Sequence, residues 1–252
     1  PNFKSKKLSP SQINACTAIM DLQKKNSFSS ILLQGVTGSG KTEVYLEAVA
    51  NALKNGEQVL VLLPEIALTS EFFNRVKNRF GANPAEWHSG ATLAERRRIW
   101  KMVASGGAKL VIGARSALFL PFMNLGLVIV DEEHDHSYKQ EDGVIYNARD
   151  MAVLRSSIEG IPVILASATP SLESWVNAKN GKYNHVQIHE RFGQATLPSL
   201  SVVDLRTENL KSDEWISDSL EKSITECLKN EEQSLLFLNR RGYSPTTVCR
   251  AC

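Results

Sequence analysis

From residue 30 onward, short unbroken runs of apolar residues alternate with longer stretches in which apolar positions recur every three or four residues. The runs are Ile31-Leu32-Leu33, Val59 to Leu63, Leu110-Val111-Ile112, Leu127 to Val130 and Val163 to Ala166. They lack the every-second-residue pattern of a half-exposed strand, so each reads as a strand covered on both faces, as in a parallel sheet. The intervening stretches Glu43 to Leu53, Thr69 to Phe80, Leu93 to Val103 and Ala148 to Ile158 carry the helical period, and Asn55-Gly56 stops the first of them. This succession predicts an α/β fold with a parallel sheet and helices on both of its faces.

Around Phe192 to Pro198 the pattern loosens into Gly, Gln, Thr and Pro, which places a boundary between residues 1–193 and 194–252. Beyond it, Leu200 to Leu205 reads as a strand, Ile216 to Leu228 as a helix and Leu235 to Leu238 as a second strand. That is the opening of another α/β unit too short to complete a sheet, so the chain reads as a fragment of a longer protein. Its 252 residues exceed the usual size of one domain, in keeping with one lobe and part of another.

Composition narrows the function less than pattern does. With 29 basic and 27 acidic residues the net charge is +2, so nucleic-acid binding would rest on local patches rather than on a bulk field. Such patches are Lys4, Lys6 and Lys7, Arg96 to Arg98, and Arg240 with Arg241, though a patch of this kind is more often simply a solvated face. No apolar run reaches the roughly 20 residues of a membrane span and no signal-peptide core follows the N-terminal lysines, which together predict a cytoplasmic protein. Four unevenly spaced cysteines argue against a disulfide framework, and Cys16 and Cys227 fall in helical patterns as packing residues.

Chemistry enters with Gly35-Val36-Thr37-Gly38-Ser39-Gly40-Lys41-Thr42, which follows a strand and opens a helix. In that setting the glycines let successive backbone N–H groups face phosphates, Lys41 reaches the outer phosphates and the Thr42 hydroxyl ligates Mg²⁺. A nucleotide site of this kind needs a carboxylate at a neighbouring strand end. Asp131 closes the strand Leu127 to Val130, and Glu132 beside it is placed to deprotonate an attacking water. The third stretch, Ser167-Ala168-Thr169-Pro170, follows another strand; Thr169 or Ser171 also reads as a helix cap.

In this order and at these intervals, the three stretches resemble the first motor lobe of superfamily 2 helicases with a D-E-x-H box. Leu62 to Thr69, His88-Ser89-Gly90, Gly113 to Ala117 and Leu236 to Tyr243 extend the resemblance to the primosomal replication-restart helicases, over nearly the whole chain from Leu8 to Cys252. It implies a RecA-like P-loop lobe followed by the start of a second, ATP with Mg²⁺ as cofactor, and movement 3′ to 5′ along DNA. It implies forked or single-stranded DNA, replication-restart proteins and single-stranded DNA-binding protein as partners, and a role for His134, Ser167 and Thr169 in coupling nucleotide state to DNA grip. His134 also reads as a plain hydrogen-bonded loop imidazole. For Gln12 the resemblance suggests adenine recognition, while Ser9-Pro10-Ser11-Gln12 reads equally as a capping box at a helix start.

Between the acidic box and Ser167, residues 136–149 mix aromatic and basic side chains and look like the aromatic-rich loop of these helicases. Tyr138 and Tyr146 offer stacking faces for unpaired bases, and Lys139 and Arg149 offer charge to phosphates. Alternatively both tyrosines pack against the lobe and Arg149 pairs with Asp150 or Glu141. Arg115 and Ser116, past another strand end, are candidates for contacts to the DNA backbone.

Cys249-x-x-Cys252 is half of a zinc site, and the resemblance makes it the opening of a zinc-binding insertion in the full-length protein. The arginine-bearing motifs of the second lobe are absent from the sequence, so the isolated chain is expected to bind ATP and hydrolyse it slowly. Two other classes remain open: a duplex DNA translocase, and a nucleotide-gated recruitment module that needs no turnover.

Overall fold

The computed structural model describes residues 3, 6–190, 199–207 and 216–237. The chain divides into two compact units, Pro1–Ala195 and Thr196–Cys252.

In the first unit, helix α1 (Pro10–Gln23) leads into β1 (Ser29–Gly35), α2 (Lys41–Lys54) and β2 (Gln58–Leu62). There follow α3 (Ser70–Phe80), β3 (Ala85–Trp87), α4 (Leu93–Ala104), β4 (Leu110–Gly113) and β5 (Leu125–Asp131). A two-stranded antiparallel pair, β6 (Lys139–Gln140) and β7 (Tyr146–Asn147), precedes α5 (Ala148–Glu159). The unit closes with β8 (Pro162–Ser167), α6 (Leu172–Lys179) and β9 (Asn184–Ile188). Seven strands form one sheet in the order β3-β4-β2-β5-β8-β1-β9, and every neighbouring pair is parallel.

Both faces of the sheet are covered, for the reason its unbroken apolar runs foretold. Ile31 and Leu33 pack on one side with Ala15 and Ile19 of α1, Val44 and Val49 of α2 and Val76 of α3. Leu32, between them, faces the other side with Ile99 and Val103 of α4, Ala152 of α5 and Ala178 of α6. Cys16 belongs to the first of these cores; burial pushes its thiol up to about 11, consistent with a packing residue. The apolar pattern did not reveal β3, whose three residues are all half-buried, or β9, an edge strand with only Val186 and Ile188 buried.

In the second unit, α7 (Asp218–Lys229) occupies most of the span expected of a helix, with Ser217 accepting from Leu220 N as its cap. Among the described residues the two strands expected around it are not formed. Residues 200–204 and 232–237 have no ladder partner among the described residues, and Leu200, Val202, Leu235 and Phe237 are exposed. An apolar run becomes a strand only where a neighbour takes its backbone hydrogen bonds, and none of the described residues does so here. Leu238, the boundary segment Phe192 to Pro198, Lys4, Arg240, Arg241, Cys249 and Cys252 lie outside the described residues.

Candidate nucleotide site

Because the sheet is parallel, β1, β5 and β8 all end on the same edge. Register fixes their spacing: Gln34 lies opposite Ser167, and Asp131 opposite Ala166. The phosphate loop, the acidic box and the Ser-Ala-Thr stretch are thereby brought side by side, at the edge where open α/β sheets bind ligands.

Gly38 and Gly40 take φ of +80° and +81°, a left-handed backbone that a side chain resists. A Cβ on Gly40 would also press on the Gln12 amide, which would have to shift, while the positive φ is what favours glycine there. Gly40 stands at the N-cap of α2 with no side-chain cap, which leaves the first N–H groups of the helix for a ligand. Lys41 is nearly buried, and its Nζ donates to Gly35 O at 2.9 Å. Ser39 Oγ is buried with no partner among the described atoms. A cleft of about 420 Å³ opens here, lined by Thr37, Gly38, Gly40, Lys41 and Thr42 on one side and Asp131 and Glu132 on the other.

Gln12 is 2% exposed and closes the capping box read from its segment. Its Oε1 accepts from Ser9 N and Ser9 Oγ accepts from Gln12 N, which completes the capping box. Its Nε2 meanwhile donates to Ser39 O at 2.8 Å, so the start of α1 is tied directly to the phosphate loop.

Each residue of the acidic box faces a different way. Asp131 ends β5; its Oδ2 accepts from Tyr45 OH at 2.8 Å and its Oδ1 from Glu132 N at 3.0 Å. Burial raises its carboxyl above the ordinary aspartate range, against the pull of the Tyr45 hydroxyl and with Glu132 adding to the rise. A half-buried carboxylate beside a second one is an electrostatically suitable seat for a cation. Glu132 takes a φ of +46°, rare for a side-chain-bearing residue, and lines the cleft. The ladder then resumes, with Glu133 N donating to Ala166 O.

Glu133 is turned inward and 1% exposed. It accepts from Ser171 N, Ser171 Oγ, Ser174 Oγ and Arg149. His134 Nδ1 lies 2.8 Å from Ser167 Oγ, which also accepts from Thr169 N. The box and the Ser-Ala-Thr stretch are therefore in contact through His134, and Ser171, one of the two residues proposed to cap a helix, caps α6.

Past the box the arrangement is the alternative one, with the tyrosines packed against the lobe and Arg149 paired with Asp150. Tyr138 does not offer a stacking face: it is 1% exposed, and its hydroxyl donates to Leu62 O at 3.0 Å and Asp131 O at 2.6 Å. Arg149 is buried and does not offer free charge to phosphates, since it pairs with Asp150 at 2.8 Å and with Glu133 at 3.4 Å. Burial works against its charge, but Asp150, Glu133 and Glu173 outweigh it and raise its pKa above the ordinary arginine value. Tyr146 packs edge-on against Phe119 and is half-buried. Lys139 is exposed in an ion pair with Glu141. Arg115 donates to Ser137 O and Lys139 O, and Ser116 Oγ accepts from Trp87 Nε1.

Sequence reasoning missed Tyr45, Glu133 as a buried anchor, and Glu43. Burial alone would raise the Glu43 carboxyl, but Lys6 and Arg75 hold it low, and Arg79 also pairs with it. For Glu43 and Tyr45 the only signal was the spacing Lys41-Thr42-Glu43-x-Tyr45, which places them within the first turns of the helix that the phosphate loop opens, whereas Glu133 was visible only as one of the acidic residues after β5.

A phosphate loop at a helix mouth, facing an acidic pair across the strand ends of a parallel sheet, defines a P-loop nucleotide-binding α/β domain. Its buried unpartnered Ser39 Oγ, the uncapped α2 N-terminus and the Thr42 and Asp131 oxygens suit a nucleoside triphosphate with Mg²⁺. Residues 9–177 match the family model described as DEAD/DEAH box helicase, and the chain belongs to that family.

Its curated relatives include a replication restart protein PriA of Rickettsia felis, 46% identical over 245 residues, covering 97% of this chain and 37% of that protein. The protein of the same name in Bacillus subtilis is 44% identical over 222 residues, covering 88% of this chain and 28% of that protein. The chain thus spans well under half the length of these relatives. Among solved structures, RecG bound to a three-way DNA junction superposes with a TM-score of 0.56 at 25% identity, covering 76% of this chain and 25% of that one. The helicase MrfA superposes with a TM-score of 0.56 over 94% of this chain and 39% of that one, at 17% identity, a likeness of fold alone. Among the described residues, no helix is long and apolar enough to cross a membrane.

Proposed function

We propose that the chain is the ATP-hydrolysing motor lobe of a DNA helicase of the replication-restart type, moving 3′ to 5′ and acting at stalled forks. The observation that carries the proposal is Glu132, held at positive φ into the cleft across from the phosphate loop, with Asp131 fixed beside it. Lys41 would move from Gly35 O to the outer phosphates, α2 would present its free N–H groups to them, and Glu132 would take the proton of the attacking water. Thr42 and Asp131 would hold Mg²⁺, which supplies charge neutralisation at the phosphates. Gln12 would set the position of the loop and contact the base. The His134 link to Ser167 and Thr169 would report nucleotide state to the DNA-facing loops.

DNA contact falls to the exposed Lys139 and to Ser116 and Arg115, with Tyr146 beside them. The names of the relatives and of the junction-bound neighbour support a fork substrate. In the longer protein, Cys249 and Cys252 would join two further ligands around zinc. Restart proteins and single-stranded DNA-binding protein would be its partners, in the cytoplasm.

The test is ATP hydrolysis by the full-length protein under single-turnover conditions with single-stranded, duplex and forked DNA side by side. Stimulation by DNA, lost by roughly 10²–10⁴-fold in Glu132→Gln, is the expected result. Turnover indifferent to DNA or to Glu132→Gln would overturn it, and stimulation by duplex alone would favour a duplex translocase.

A further inference from the structure

Asp131 is gripped from both faces of the sheet by buried phenols. From one core, Tyr45 of α2 is fully buried and its hydroxyl donates to Asp131 Oδ2 at 2.8 Å. From the other, the Tyr138 hydroxyl donates to the main-chain oxygen of the same residue at 2.6 Å. Tyr45 lies three residues after Thr42 on α2, so one helix carries the hydroxyl facing the cleft and the phenol behind the carboxylate.

A carboxylate at a strand end is free to turn about two side-chain bonds. Here Glu132 N occupies one lone pair of Oδ1 and Tyr45 OH one of Oδ2, which fixes the plane of the group and leaves its remaining lone pairs directed by those two donors. The phenol hydrogen-bonds the Thr42 side chain as well, so it stands behind both oxygens proposed to hold the cation. Its burial means that the bond is not exchanged with water.

Resting on the proposed nucleotide reading, we infer that Tyr45 is a positioning residue that orients the Asp131 carboxylate toward the divalent cation accompanying the nucleotide. Partners of this kind behind metal-binding carboxylates are typically worth 10- to 100-fold in metal affinity. Removing the hydroxyl while keeping the ring leaves the packing of α2 on the sheet in place, and frees Asp131 to rotate.

The experiment is calorimetric titration of the 252-residue chain and its Tyr45→Phe variant with a non-hydrolysable ATP analogue, in EDTA and across a series of Mg²⁺ concentrations. The expected result is unchanged affinity in EDTA with about 10-fold more Mg²⁺ needed for half of the metal-dependent gain in affinity. An unchanged Mg²⁺ requirement overturns the inference. So does an equal loss of affinity with and without Mg²⁺, which would assign Tyr45 to the fold alone. Failure of the unaltered chain to bind the analogue at all would instead overturn the nucleotide reading itself.

Discussion

The phosphate loop and the loop after the acidic box both carry motif-like polar residues, yet the fold treats them oppositely. In residues 35–42 the binding capacity is left open: Ser39 Oγ has no partner, α2 lacks a side-chain cap, and Lys41 rests on a single carbonyl. In residues 136–149 most of it is consumed. Tyr138 bonds two main-chain oxygens, Arg149 is locked among Asp150, Glu133 and Ser171, and Arg115 holds two carbonyls of this same loop. Residue type is alike in suggestiveness at both places. What separates them is whether hydrogen-bonding capacity remains after folding.

The contrast can be broken most directly at Lys41. Lys41→Ala should weaken ATP binding by about 10- to 100-fold, the loss of a charged hydrogen-bond donor to phosphate, with little change in the midpoint of urea unfolding. A large fall in stability with unchanged binding would show that Lys41 belongs to the fold as Arg149 does.

Arg149→Ala should have the reverse signature. It strips the buried Glu133 of its cation, and we expect about 3 kcal/mol of destabilisation by urea unfolding, the lower end for a broken buried pair. The lower end applies because Ser171 and Ser174 still donate to Glu133. DNA affinity that falls with no loss of stability would return Arg149 to the phosphate-binding class.

Tyr138→Phe keeps the ring and removes the donor to Leu62 O and Asp131 O, for an expected loss of about 1–2 kcal/mol in the same measurement. Unaltered stability would mean that the hydroxyl is not structural. The smallest effect is at Lys139, whose exposed pair with Glu141 should contribute nothing measurable to the melting temperature. Lys139→Ala should instead lower the salt dependence of single-stranded DNA binding by about 0.7 in log–log slope, one phosphate contact. An unchanged slope would remove Lys139 from the DNA surface.

Much of the nucleotide edge was legible in the residues themselves. Apolar runs identified five of the seven strands of the main sheet because doubly covered strands must be apolar throughout. The phosphate loop was legible because its glycines, lysine and threonine act within eight consecutive residues. The capping box at Ser9 and Gln12 was local for the same reason, and so was the Ser171 cap. Short β3 and the half-exposed edge strand β9 left no such signal, and the apolar runs at 200–205 and 235–237 suggested strands that no described neighbour pairs.

The sequence by itself thus determined the elements and motifs whose chemistry is completed within a few residues: the covered strands, the phosphate loop, the helix caps and the order of the acidic box. Tertiary structure alone decided which polar residues remained available to a ligand. Tyr45 reaches Asp131 across 86 positions, Gln12 reaches Ser39 across 27, and Tyr138 reaches Leu62 across 76. No local pattern encodes such pairings, because a hydrogen bond depends on a separation of about 3 Å in space, and the parallel register of β1, β8 and β5 sets that separation here.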